Sequence, residues 1–570
     1  MKHGSSFTTR FLAVFILLPL LSAGQSFLDY SQISGNFEAD AAYYLTDSKL
    51  GITQTTLDGR YFRAQGFADL TYSLKNFSAG MRFEAYLPPL LGYDMQYQGL
   101  GVPYWWAKYK NDLIEVTAGN FYEQFGNGMA FRTYQDWTLG FDNSLRGLRV
   151  KVNPWGGVTF TGVLGVQRNY WIPWTNNNRG IVKGIDADFY LNDLIKSMSA
   201  SKWQLSFGGN FVSDYQKGKE KDLPIDTLLY KLSMPENVAC YSGRINLTYS
   251  GFNLYSEYAY KINDPSAMNG WIYHPGSGLL IGASYSRQNL GITAKTKWLD
   301  NMSYKSDRTV TSNQLDINFL PPVTVEHTYF LPSMYPYATQ PNGEVGFSGQ
   351  VMYTIPRKTK LGGKYGMSIA VNFAQVNSIR KTQISDTIPL NKPGTLGYKT
   401  SFFSVGDVVY FQDANVEITK KFSKSLKGIF TYYHLAYNKD VIEGHGKQYG
   451  TVYSNIGVAD ITYFINPTYT LRGELQGLWT RQDNGNWLAG LLEFTISPKW
   501  FFSVSDQWNF GNPDKSQQIH YYNVNVAFVY NTTRISLAYG RQRAGIICVG
   551  GVCRYVPQST GFTLTVTSSF

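Results

Sequence analysis

Cys548 and Cys553 flank Val549-Gly550-Gly551-Val552, a spacing that allows covalent chemistry. A two-residue Gly-Gly turn sets Val549 opposite Val552 and Cys548 opposite Cys553. The cysteines then form a non-hydrogen-bonded cross-strand pair with Cα atoms about 4.5 Å apart, at the short end of the disulfide range. In an oxidising compartment this predicts a disulfide stapling the tip of the last surface loop. No His lies beside the pair, which disfavours a metal site. Cys240 sits on the polar phase of its strand, beside Ser242 and Arg244, with no evident partner.

The segment from Phe121 to Asn143 (FYEQFGNGMAFRTYQDWTLGFDN) is long, aromatic and studded with Glu123, Arg132, Asp136 and Asp142. Gly126 and Gly128 permit a sharp fold. Two readings are open. The segment is a surface loop whose aromatics mark a membrane interface, or it dips into a lumen, with Glu123, Arg132 and Asp136 at a constriction. Catalysis finds little support. His274, His327, His434, His445 and His520 fall mostly in loops or near strand ends, and none is joined to a nucleophile motif. No GxSxG, HExxH, P-loop or EF-hand spacing appears. The expectation is no enzyme, no cofactor and no metal.

The elements that position these residues are strands. Phe62 to Leu70 alternates apolar or small residues with Arg63, Gln65 and Asp69. Ala79 to Leu87 alternates around Arg82 and Glu84, Ile185 to Leu191 around Asp186 and Asp188, and Leu471 to Trp479 around Arg472 and Glu474. Alternation at period two marks a sheet with two different faces. About 24 such segments (22–26) follow one another, most of about 9 to 14 residues, the length a tilted membrane strand needs. Soluble strands average about five or six. Short turns such as Lys110-Asn111, Ser250-Gly251, Gln288-Asn289 and Asn531-Thr532 alternate with long segments near 45–58, 88–100, 121–142, 214–236, 300–342 and 377–410. That asymmetry predicts a transmembrane antiparallel β-barrel with short periplasmic turns and long extracellular loops.

Composition agrees. Aromatic residues make up 16% of the chain and charged residues only 16%, against about 25% charged in soluble domains. A barrel of this width cannot be filled by strand side chains, so its lumen holds water or inward-folded loops. The inward phase carries Arg63, Asp69, Arg82, Glu84, Glu115, Asp186, Asp188, Arg472 and Glu474. Mixed signs read first as a solvated wall and second as a selectivity filter.

The chain's two ends address its location. Lys2 and Arg10 precede the apolar run Phe11 to Leu21 and the small residues Ser22-Ala23-Gly24, the layout of a secretory signal peptide cut after Gly24. Residues 25–570 then form a single barrel domain in the bacterial outer membrane. Without Lys2 and Arg10 the formal charge falls from +11 to +9. No basic run accompanies it, which argues against nucleic acid and points to lipopolysaccharide or a weak anion preference. The last strand alternates Phe562, Leu564, Val566 and Phe570 with Thr563, Thr565, Thr567 and Ser569. An amphipathic strand ending in Phe is the kind of signal that barrel-insertion machinery reads.

The stretch GNFYEQFGNGMAFRTYQDWTLGFDNSLRG (Gly119 to Gly147) and the ending CVGGVCRYVPQSTGFTLTVTSSF (Cys548 to Phe570) resemble a family of large outer-membrane proteins from Bacteroidetes, described as a domain of unknown function. The resemblance covers most of the chain, implies location and source group, and brings no activity or functional residues with it. Two functions of different class follow. One is a porin-like channel for small solutes. The other is a non-conducting scaffold or partner in an outer-membrane secretion, assembly or surface-display complex. No plug or partner-box region follows the signal segment, which argues against an energised receptor.

Overall fold

The computed structural model describes residues 31–171, 179–218, 221–225 and 228–570. The proposed signal segment lies outside them. Among the described residues, 24 antiparallel strands form one sheet. The first strand, Ser31–Tyr44, pairs with Phe62–Leu74 on one side and with the last, Ser559–Ser569, on the other. That pairing closes the cylinder and leaves no edge amide unpaired, as hydrocarbon requires at several kcal/mol per group. Strands run from eight residues at Ile114–Phe121 to 17 at Val405–Lys421, the latter bulged opposite Asn377.

Alternation assigns the two faces. Ile33, Met81, Ile185, Leu475, Leu492, Val524 and Leu564 are exposed on the outside, while Arg82, Glu84, Asp186 and Glu474 on the opposite phase are buried within. A one-residue slip would exchange the two sets, so register is strongly specified. Two-residue turns hold it: Ser250 and Gly251 both take positive φ (41° and 89°), as a tight hairpin of matching twist demands.

Connections follow the expected asymmetry with three departures. Residues 191–202, between Ile181–Tyr190 and Trp203–Tyr215, contain a helical turn (Leu191–Leu194) at the short-turn end. Residues 356–366 are also longer than a turn, while 481–486 is short at the loop end. No extra hairpin hides in the 377–410 stretch, where strand Met367–Ile379 leads through 380–404 into Val405–Lys421.

Candidate functional site in the lumen

The lumen is partly filled by two segments that fold inward from the loop end, residues 122–144 and 301–343. Phe125, Met129 and Phe131 from the first, and Ile317, Leu320 and Leu331 from the second, join one buried cluster with the inward wall residues Val182, Val212, Cys240 and Leu299. The wall makes room for them. A Cβ on Gly184 would lie 2.9 Å from the Phe125 ring, and one on Gly278 would lie 2.7 Å from the Met129 methyl. Gly126 turns at φ 54°, and the next residue, Asn127, donates its backbone N–H and side-chain amide to Glu257 on the wall at 2.7 and 2.8 Å.

The two segments hold each other. The Phe319 N–H donates to the Gly128 carbonyl at 2.9 Å, and the Arg132 N–H to the Ile317 carbonyl at 2.8 Å. From there 301–343 crosses the lumen. The Leu331 N–H donates to Gln476 at 2.9 Å, and His327 meets Asp413 at 2.9 Å on the far wall. Asp316, half-buried in this segment, has its carboxyl raised above the usual range by desolvation, with Lys305 at 2.5 Å opposing the shift.

The segment 121–142 therefore takes the inward position, but it does not gather Glu123, Arg132 and Asp136 at one constriction. Glu123 pairs with Arg149 on the wall at 3.1 Å. The Arg132 guanidinium lies over the rings of Tyr134 and Phe319 at 4.2 and 4.0 Å, and burial lowers its pKa. Asp136 accepts the Leu139 N–H at 3.0 Å, capping its own turn. Each charge is spent locally, so no charged ring forms.

The inward-phase charges form ion pairs. Arg82 meets Asp69 at 2.8 Å and Asp142, from the inward segment, at 3.5 Å. Arg168 joins Glu84 and the same Asp142, each at 2.7 Å. Arg149 binds Glu115, and Arg244 spans Asp186 and Asp188 at 2.7 and 2.5 Å. Arg472 reaches Asp460, Glu474 and Glu493 at 3.0, 2.6 and 2.5 Å. Arg63 contacts the carbonyls of Leu57 and Pro89, with Asp58 at 3.8 Å. Much of this wall is neutralised. The picture of free charges gives way to paired ones: Arg82 and Arg168 through Asp142, and Arg149 through Glu123, also fasten the inward segment, whereas Arg244 and Arg472 bind carboxylates of the wall itself.

The final hairpin, Gly545–Val549 with Val552–Val556, has the register expected from its turn, Cys548 opposite Cys553 with Cα atoms 4.0 Å apart and the disulfide formed. Its tip is not free at the surface. It folds over the mouth onto 301–343, where the Thr339 N–H donates to the Gly551 carbonyl at 3.1 Å and Asn313 to the Cys553 carbonyl. Apolar and main-chain contacts across the barrel outweigh solvation of a short apolar tip. Cys240 is free and buried.

Space remains on the other side. A cavity of about 840 Å³ opens between 301–343 and the loops near 439–445, 483–487 and 509–521. A second, of about 780 Å³, runs along the wall past Ser503, Ser505, Gln507, Asn523, Asn525 and Ser536. Tyr335, Tyr521, Arg543, Gly545, Ile546 and Gly551 line both, so the cavities adjoin. Sequence reasoning missed Arg543, which lies one residue past its strand, Thr533–Gln542. No group of three or more His, Cys, Asp or Glu able to hold a metal occurs among the described residues.

A family model matches residues 5–570. The chain belongs to DUF6029, a family of unknown function. No curated protein matches this DUF6029 chain. Among solved structures it is similar to the siderophore receptor PirA from Pseudomonas aeruginosa, at 10% identity and TM-score 0.40, over 95% of this chain and 80% of that one. The P pilus usher PapC translocation pore matches at 8% identity and TM-score 0.39, over 94% and 99% of the two chains. The outer membrane protein opdK from Pseudomonas aeruginosa matches at 8% identity and TM-score 0.31, over 73% and 96%. Likeness at this level assigns nothing to the DUF6029 barrel.

Proposed function

We propose that this chain is an outer-membrane porin-like channel, passing small solutes through the part of the lumen that its inward loops leave open. The observation that carries the reading is the pair of adjoining cavities, about 840 and 780 Å³, one among the surface loops and the other along a wall of Ser, Asn and Gln. Neutral hydroxyls and amides keep water without holding it tightly, which suits a passage. Lipid and lipopolysaccharide cover the outer face, and barrel-insertion machinery takes the strand ending in Phe570. The reading includes no catalysis and no cofactor.

A specific observation favours a second reading. The core formed by Phe125, Met129, Phe131, Ile317 and Leu331 is apolar, buried and continuous with wall residues from Val182 to Leu478, as befits a non-conducting scaffold in a secretion, assembly or surface-display complex. Purified protein in planar bilayers decides between them. The channel reading expects discrete single-channel steps. A silent bilayer, with a partner co-purifying in fixed stoichiometry, would overturn it in favour of the scaffold.

A further inference from the structure

Most arginines that face the lumen meet a carboxylate within 4.0 Å: Arg82, Arg149, Arg168, Arg244, Arg472 and Arg541 all do. Arg543 makes no such pair. Its Nε reaches Gln507 Oε1 at 3.4 Å, and it lines both cavities where they adjoin. Burial draws its guanidinium below the ordinary value, and Tyr335, Tyr521 and Asp483 act the other way. Asp483 is already bound to Lys439 at 2.6 Å and accepts the Tyr335 hydroxyl at 3.2 Å.

Other groups in the larger cavity have unmet hydrogen-bonding capacity. The Arg554 guanidinium lies over the Tyr93 ring at 4.3 Å and donates its Nε to the Thr138 carbonyl at 2.6 Å, but its buried Nη1 has no hydrogen-bond partner. Trp487 Nε1 and Asn509 Oδ1, on side chains only 3% exposed, are likewise unpaired. Of the carboxylates lining this cavity, Asp316 and Asp483 are taken by Lys305 and Lys439. Glu443 is left, with His445 at 3.0 Å. Glu443 also accepts the Tyr437 hydroxyl at 3.1 Å, and among the described residues neither guanidinium in this cavity has a carboxylate within 4.0 Å. A buried polar group without a partner is costly, more so when charged, so the cavity is built to gain from an anion with further polar atoms.

We propose that Arg543, with Arg554 in the same cavity, recognises the carboxylate or phosphate of a small organic anion, and that such anions are the solutes this passage admits. A guanidinium presents a planar fork of donors that matches either group. Trp487, Asn509 and the Tyr335 and Tyr521 rings face the polar body of the solute. Arg543 lines the junction with Tyr335, Tyr521 and the base of the final hairpin, so a solute moving between the loop cavity and the Ser/Asn wall passes beside it. The solute class rests on the channel reading; binding at Arg543 does not.

The test uses full-length purified barrel, wild type, Arg543→Gln and Arg543→Lys, with glucuronate and glucose 6-phosphate as probes and glucose as the neutral control. Binding is read by isothermal titration and by quenching of tryptophan fluorescence, and conductance is read on the same preparation. The expected result is saturable binding of one or both anions, weakened by rising salt. Arg543→Gln should lose about tenfold, the worth of one charge-assisted contact, with Arg543→Lys recovering part of it and glucose unaffected. Which anion binds tells carboxylate from phosphate. Should Arg543→Gln fail to fold, the salt dependence in wild type and the Arg543→Lys loss serve instead. No anion binding, or equal binding by wild type and variants, would overturn the assignment. Binding without conductance would sink the channel reading while the Arg543 site stands; conductance without Arg543-dependent binding would do the reverse.

Discussion

The cluster that fastens the inward segment 122–144 holds two cations, Arg82 and Arg168, against three carboxylates, Asp69, Glu84 and Asp142. Only Asp142 belongs to the segment; the others sit on or beside the wall. Two substitutions therefore differ in a calculable way. Asp142→Asn leaves two cations facing two carboxylates, so the loss is confined to hydrogen bonds on a charged acceptor, about 1.5–3 kcal/mol. Arg168→Gln leaves Arg82 alone among three carboxylates. Glu84 and Asp142 have side chains 0% and 1% exposed, so this is a broken buried pair, costing about 3–5 kcal/mol. Release of the segment carries Asp142 away and relieves that repulsion. Arg132 is the single trypsin site in 122–144, so cleavage there in the folded barrel reports release. When opening is faster than cutting, the rate follows the opening equilibrium, at tenfold per 1.4 kcal/mol. Asp142→Asn should speed cleavage by about ten- to a hundredfold, and Arg168→Gln by about a hundredfold to several thousandfold. Peptide mapping over time measures both. If neither variant differs from wild type, or Asp142→Asn is the faster, the fastening argument is wrong.

Leu475 is 59% exposed near the middle of its strand, Tyr469–Thr480, so Leu475→Arg should cost about 2–4 kcal/mol in urea unfolding from liposomes. Asn525→Arg on the wet inner wall should cost under about 1 kcal/mol in the same assay. Equal costs would refute the assignment of faces. The Cys548–Cys553 link closes no more than a six-residue loop, worth about 2 kcal/mol of local order in a chain-entropy account. Cys548→Ser with Cys553→Ser should leave the unfolding midpoint of the barrel unchanged while raising open-channel current and noise, and a quiet, unaltered current would count against a hairpin lying over the mouth. At the seam, Gly35 and Phe570 exchange main-chain hydrogen bonds of 2.9 and 3.0 Å, and a Cβ on Gly35 would sit 2.6 Å from the Phe570 ring. Gly35→Val should lower the yield of heat-modifiable, membrane-inserted barrel several-fold; wild-type yield would show the seam to be looser than drawn.

Period two made the barrel legible. Met81 and Arg82, or Ile185 and Asp186, declare opposite faces by themselves, and Ser250-Gly251 or Gln288-Asn289 declare the turns. The Cys548–Cys553 hairpin was readable because a Gly-Gly turn leaves one register. The inward course of 301–343 was not readable. Its anchors, such as the Phe319 amide on the Gly128 carbonyl, are main-chain groups almost two hundred residues apart, and main-chain groups carry no sequence signal. Gly126 and Gly128 hinted at a fold in the first segment, but nothing marked Gly184 and Gly278 as room for it. Arg543 escaped because charge was sought on strands, and it stands one residue beyond one.

The lumen wall divides by chemistry, and the division follows from desolvation. Where apolar loop residues cover the wall, a lone charge would be uncompensated, so Arg82, Arg168 and Arg244 each come with their carboxylates. Such pairs, of which those of Arg82 and Arg168 with Asp142 also hold a loop, discriminate solutes poorly, since their fields cancel within a few ångströms. Between Trp500–Trp508 and Thr533–Gln542 the wall that lines the smaller cavity carries Ser503, Ser505, Gln507, Asn523, Asn525 and Ser536, which stay hydrated at little cost. On the channel reading proposed above, a solute moves along that side. A charge acting on that solute must stand beside the path and be spared pairing. Arg82 is excluded on both counts, for all that its phase and sign resemble those of a filter, and Arg543 meets both. On that reading, pairs such as Arg82 and Arg168 with Asp142 keep the inward segment in place, and Arg543 acts on what passes it.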